Sequence, residues 1–270
     1  MAIAYDAGAT GNVNSGTSFT FSHTCTGSAR LLLVGVTVNK TTDVLTSVTY
    51  NGVAMTRRSA VQAGTTSFWV YSYYLVAPAT GANNVGVNFT GTEAVFATSD
   101  SYTGVSQSGP IDSFASGTDA AGDYTATTTV VAANCWLWGF SRANNSTSGI
   151  GAVAGTTLRQ DPLGLHFSRS ADSNAVVGTG AQSLGYTVSP GGENAWVIVS
   201  MAPAGSYSLA VDVGAFALTG SDSILTHGYT LAVSVGEFVL SGAAAALRVL
   251  GWVNRARPTS TWTDVTRSDQ

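Results

Sequence analysis

A chain of 270 residues with 44 % hydrophobic content and 31 glycines has ample apolar material for a core, yet only 10 % of its residues are charged. Its 11 basic against 15 acidic residues give a net charge of −4, and no basic stripe with interleaved aromatics occurs, so the electrostatic footprint of a nucleic-acid binder is missing. No run of about 18 apolar residues is present, which excludes a membrane-spanning helix.

The first residues, Met1-Ala-Ile-Ala-Tyr-Asp-Ala-Gly8, lack the basic and apolar regions of a secretory signal, so synthesis in a cytoplasm is expected. Ser18-Phe19-Thr20-Phe21-Ser22 alternates in the manner of a strand, and Arg30 to Val38 is an apolar run long enough for a central strand covered on both faces. Leu45 to Tyr50 and Val53 to Arg57 flank Asn51-Gly52, the strongest short-range hairpin signal, because both central residues of a type I′ turn need φ > 0. The aromatic run Ser67 to Val76 reads as a central strand ended by Ala77-Pro78-Ala79-Thr80-Gly81. Further strands are expected at Asn84 to Thr90, Ala94 to Tyr102, Ala126 to Val131, Cys135 to Phe140, Leu184 to Val188 and Ala195 to Met201, about ten in all. Helical periodicity appears only at Ala243 to Leu247, so βαβ units are not expected. Cys25 and Cys135 can form only one disulfide, but free buried thiols are the expectation.

Ala202-Pro203-Ala204-Gly205-Ser206 reads as a linker, and a repeat follows it. Tyr207-Ser-Leu-Ala-Val-Asp-Val-Gly-Ala-Phe-Ala-Leu-Thr-Gly220 returns as Tyr229-Thr-Leu-Ala-Val-Ser-Val-Gly-Glu-Phe-Val-Leu-Ser-Gly242, shifted by 22 residues. The unit keeps Leu, Ala, Val, Gly and Phe in register but no His, Cys or acidic cluster, so it encodes a shape and not a reaction. Each unit offers two strands about Gly214 or Gly236, and two hairpins alone are marginal in water, so neighbours must complete them. The expected architecture is all-β: an antiparallel, jelly-roll-like β-sandwich over residues 1–203, two β-hairpin repeats over 204–247 and a C-terminal arm over 248–270. The arm carries Arg248, Arg255, Arg257 and Arg267 with Trp252 and Trp262, the composition of a docking arm or of a frayed terminus.

Reactive constellations are sparse. No serine lies in Gly-x-Ser-x-Gly, the histidines His23, His166 and His227 are isolated, and no zinc spacing occurs, so neither a catalytic triad nor a metal or other cofactor site is expected. Asp100, Asp112, Asp119, Asp123, Asp161, Asp172 and Glu193 could supply a glycosidase pair, but their turn-like contexts favour backbone bonding. Asp119-Ala-Ala-Gly122-Asp123 does not have the ligand spacing of a calcium loop. Trp69, Tyr71 and Tyr73 share one strand face and Trp136 and Trp138 another. Both rows suit a core, the alternative being a carbohydrate platform to which Tyr74 and Trp196 would add.

The hairpin Val48-Thr49-Tyr50-Asn51-Gly52-Val53-Ala54-Met55-Thr56, the strand end Tyr73 to Gly81 and the stretch Ser101-Tyr102-Thr103-Gly104-Val105-Ser106-Gln107 resemble a β-sandwich module of tailed-bacteriophage structural proteins. The Val-Gly-x-Phe-x-Leu-Thr/Ser-Gly units resemble the short repeats that follow such modules. This resemblance implies a virion component: a capsid decoration (cement) or head-fibre protein, trimeric, bound to the major capsid protein or other virion proteins. A tail-fibre receptor- or carbohydrate-binding module is the alternative, and no catalytic residues are implied.

Overall fold

The computed structural model describes residues 1–64, 68–119, 124–144, 148–161, 168–189, 192–205, 208–212 and 215–219. It is all-β, with every strand pair antiparallel and no helix among the described residues. The first sheet contains β1 (Ala4–Cys25), β2 (Leu31–Val38), β3 (Leu45–Tyr50), β4 (Val53–Ala54), β5 (Thr56–Gln62), β6 (Trp69–Val76) and β7 (Gly81–Thr103), in the order β4-β3-β7-β2-β6-β5 with β1 also paired to β7. The strands that follow are β8 (Ile111–Asp119), β9 (Tyr124–Val130), β10 (Trp136–Ala143), β11 (Ser148–Ala152), β12 (Thr157–Gln160), β13 (Ser168–Asp172), β14 (Gly180–Ser189) and β15 (Asn194–Met201). They form a five-stranded sheet, β12-β13-β10-β15-β8, and a three-stranded one, β11-β14-β9.

Strand pattern explains the layering. All eight residues of β2 are buried: Leu31 and Leu33 enter one core cluster, Leu32, Val34, Val36 and Val38 another, so its continuous apolar run does cover both faces. In β10 and β15, Trp136, Trp138, Phe140, Val197 and Val199 join the cluster of Leu31 and Leu33, whereas Leu137 and Ile198 join a third cluster with Tyr124, Leu184 and Tyr186. The five-stranded sheet is therefore packed on both faces. Asn51 and Gly52 have φ of 49° and 77° between paired Tyr50 and Val53, the hairpin geometry that Asn-Gly predicts.

The two strands expected at Asn84 to Thr90 and Ala94 to Tyr102 are one continuous strand, β7. Gly91, with φ of 81°, bends it without ending it, and the register to β1 slips between Asn88 and Glu93. The first part of β7 pairs with β3 and the last part with β2, and Val85, Val87 and Phe89 share a core cluster with Val34, Val36, Val95 and Ala97. The bend brings β1 against itself: a Cβ on Gly11 would lie 2.5 Å from the Phe21 ring. Other elements exceed expectation as well. The run Ser18 to Ser22 is a small part of the 22-residue β1, and β5, β8, β11, β12 and β13 lie where polar sequence hid them.

Cys25 and Cys135 are free and buried in different clusters. The chain divides into two compact units, the first containing the described residues up to Gly205 and the second the hairpin β16 (Ser208–Asp212) and β17 (Ala215–Thr219). In that hairpin Asp212 pairs with Ala215 and Ser208 with Thr219, the two strands expected of the first repeat. The second repeat, the Ala243 to Leu247 run and the arm 248–270 lie outside the described residues.

Gly35 faces the Phe140 ring, which a Cβ would meet at 2.2 Å, whereas a Cβ on Gly109 meets nothing within 4 Å. Gly35→Ala is expected to lower the unfolding free energy by about 1–3 kcal/mol through overpacking. Gly109→Ala should stay within about 0.5 kcal/mol. Urea titration of both variants checks this, and equal midpoints would contradict the packing described.

Candidate functional site

The densest concentration of polar chemistry lies between the first and the five-stranded sheets. Asp100 of β7 and Asp172 of β13, two of the candidate carboxylates, are brought together there, both 0 % exposed. Asp172 Oδ2 accepts from the Tyr102 hydroxyl at 2.9 Å and from Arg159 Nε at 2.7 Å, while its Oδ1 accepts from Asn174 N at 3.0 Å. Arg159 Nη2 continues to Asn174 Oδ1 at 2.6 Å, and its guanidinium lies 3.9 Å from the Tyr5 ring centre. Asp100 Oδ2 accepts from Trp138 Nε1 at 2.9 Å, whereas its Oδ1 and the Ser170 hydroxyl make no geometrically good hydrogen bond. Gly8, paired with Asp100, gives these groups room. A Cβ there would lie 2.1 Å from Gln160 Nε2, 2.3 Å from the Tyr5 hydroxyl and 3.0 Å from Asp100 Oδ1.

Burial sets the electrostatics. It pushes the Asp100 carboxyl up to about 6, Asp172 adding to the rise while Ser170 and Trp138 oppose it. Burial likewise raises Tyr102 well above its ordinary value, helped by the two carboxylates, and raises Tyr5 to about 12. Neither carboxylate is exposed, and in this arrangement they tie strands together.

The opposite face of the same stretch of β7 holds a second buried group. Ser99 Oγ lies 2.8 Å from His23 Nδ1 and donates to Ala9 O at 3.4 Å, and Ser101 Oγ donates to Asp6 Oδ2 at 2.7 Å. Thr26 N donates to Asp6 Oδ2 at 2.8 Å and its hydroxyl bonds Asp6 Oδ1, so the residue after β1 is fastened to the start of β1. Against the upward push of partial burial, the bonds from Thr26 and Ser101 hold Asp6 below the usual carboxylate range. His23 is 2 % exposed, with its Nε2 unpartnered, and burial depresses it to about 4 despite the Asp6 charge.

The remaining candidates do not converge on these groups. Asp112 accepts from Val131 N and Ala132 N, Asp119 from Trp196 Nε1, and Asp161 pairs with Arg169 at 2.9 Å. Glu193 is buried and engaged. Asp123, His166 and His227 lie outside the described residues. Tyr71, Tyr73, Trp136 and Trp138 are buried in the clusters, and Trp69 is half-buried and stacked on Tyr71 at 5.9 Å, so these aromatic rows pack the core. Tyr74 and Trp196 are half-buried at the margins of two clusters. Among the described residues no three His, Cys, Asp or Glu side chains are grouped to hold a metal ion. Sequence reasoning missed Tyr5, Arg159 and Gln160, which no local motif marks. Comparison with protein-family models, curated proteins and solved structures finds no match to this chain.

Asp100 and His23 act oppositely on stability. Asp100 is raised from 3.8 to about 6 in the folded chain, so its contribution is fully present below 3.8 and lost as pH rises through 6. His23 is lowered from 6.5 to about 4, so its contribution is present above 6.5 and lost as pH falls through 4. Each shift corresponds to about 3 kcal/mol, and the two nearly cancel between them. Asp100→Asn should leave stability rising from pH 4 to 6.5, and His23→Gln should leave it falling from pH 4 to 6. Thermal melts across this range check both, and parallel profiles for the wild type and both variants would sink the assignment. Arg159→Ala, which leaves the fully buried Asp172 without its ion-pair partner, should cost about 3–5 kcal/mol in urea unfolding.

Proposed function

We propose that this chain is a structural component of a bacteriophage virion, most concretely a capsid decoration protein that binds and stabilises the outer capsid surface. In this reading the first unit is a jelly-roll-like β-sandwich and the repeats are an assembly element completed by other copies or by the shell. One observation carries it: among the described residues Asp100, Asp172 and His23 face inward as ties between strands, and the outward rows of β1 and β9 are uncharged and hydroxyl-bearing. Ser18, Thr20, Ser22 and Thr24 of β1 and Thr125, Thr127 and Thr129 of β9 are exposed along single strand faces. Thr127 and Ser183 even bond each other across β9 and β14 at 2.7 Å. Such faces carry little repulsion between copies and suit close packing in an assembly.

Binding in this role rests on buried area and on many symmetric copies, which turn modest contacts into avidity without a reactive centre. The resemblance of the hairpin at Asn51-Gly52 and of the repeats to phage structural modules supports the same reading. Particle reconstructions with and without this chain test it. Added density at fixed stoichiometry on the capsomers, with loss of particle stability when the chain is removed, is the expected result. A chain absent from particles refutes it, and a few copies on the tail with saturable binding to host polysaccharide would instead identify a receptor-binding module.

A further inference from the structure

We infer that two copies of this chain pair edge to edge through residues Ser18 to Ser22 of β1, antiparallel about a twofold axis at Thr20. The inference does not depend on the virion reading.

The open edge is the first observation. β1 pairs only with β7 among the described residues, leaving its other edge without a strand partner. Natural sheets guard such edges with charge, proline, bulges or brevity. The other edges of the first unit have those guards. β4 has two residues, and β5 carries Arg57 and Arg58 with a register slip between Arg57 and Ser59. β12 has four residues with Arg159 and a slip between Leu158 and Gln160, and β11 also slips. β8 and β9 cover one another, with the Ser113 and Thr128 hydroxyls 3.0 Å apart. β1 also slips, between Tyr5 and Ala7, Val13 and Gly16, and Gly16 and Ser18, but from Ser18 to Cys25 it runs in unbroken register against Asn88 to Gly81, with no charged side chain and no proline.

The occupant is written in the strand. Ser18-Phe19-Thr20-Phe21-Ser22 is a palindrome. Antiparallel pairing of two copies about Thr20 sets Ser18 against Ser22, Phe19 against Phe21 and Thr20 against itself, with no charge meeting a charge. Phe19 and Phe21, stacked at 6.1 Å, are only half-buried at the rim of the first core cluster, and a second copy would cover them. Cross-strand aromatic pairs of this kind are among the favourable contacts of a sheet. The contact is isologous, so it closes at two copies and is compatible with other contacts around a different axis.

Full-length Thr20→Cys tests the register, because Thr20 is exposed and the native Cys25 and Cys135 are buried. At micromolar protein under mild oxidation, the variant should form a covalent dimer on the order of 100-fold faster than Thr10→Cys, whose exposed position lies away from the axis. Full-length Thr20→Lys, which sets two ammonium groups against each other, should halve the mass of the species seen in sedimentation. Equal cross-linking of the two cysteine variants, or an unchanged mass for Thr20→Lys, overturns the pairing. Either failure leaves the virion reading standing, just as absence of the chain from particles would leave the pairing intact.

Discussion

Four consecutive residues of β7, Ser99-Asp100-Ser101-Tyr102, tie this strand to β1 on one face and to the five-stranded sheet on the other. Strand geometry sends alternate side chains to opposite faces. Ser99 and Ser101 therefore reach His23 and Asp6, which belong to the two ends of β1 and are brought together by its bend. Asp100 and Tyr102 reach Trp138 and Asp172 on β10 and β13. Apolar faces can slide over one another with modest loss, but a buried carboxylate that loses its donors costs several kcal/mol. A slip of one residue would also exchange the two faces outright. The register of β7 is thus held by the most expensive errors available to the chain.

The same placement explains how a sequence with so few charges spends them. Asp6, Asp100, Asp112, Asp119, Asp161 and Asp172 each accept a hydrogen bond from a named partner. Carboxylates committed to internal bonding leave the strand faces to Ser and Thr, whose hydroxyls satisfy themselves with water or with one another.

Much of the framework was legible beforehand. The all-buried run at Leu31 to Val38, the Asn51-Gly52 hairpin and the core rows of Trp69, Tyr71, Trp136 and Trp138 follow from periodicity and turn chemistry, which are local signals. What escaped was non-local. Gly91 looked like the end of a strand, because glycine at positive φ serves a turn and a bend equally well; only pairing with both β2 and β3 decides between them. β13 reads Ser-Arg-Ser-Ala-Asp and carries no apolar alternation, yet all five residues are buried. Its burial is made tolerable by Arg159 and Tyr102, which hold Asp172, and by Asp161, which pairs with Arg169; none of the three belongs to β13, so nothing within it could announce its burial. Asp100 and Asp172 were visible as carboxylates, but their meeting is a property of the sheet order.

The long β1 shows what that sheet order demands in return. One strand serves both halves of the bent sheet, and its two ends are stitched by Asp6 to Thr26 and by His23 to Ser99. Between those stitches, Ser18 to Ser22 is held by backbone bonds to β7 and by the half-buried rings of Phe19 and Phe21. A charge placed inward there would lie against the first core cluster and lack a partner, and a bulge would shift Phe21 off Gly11, which has no side chain so that the ring can lie there. The usual devices for guarding an edge are therefore excluded on the inner face by the packing that closes the bend. The requirement that folds the first sheet is also what leaves its first strand, among the described residues, open along one side.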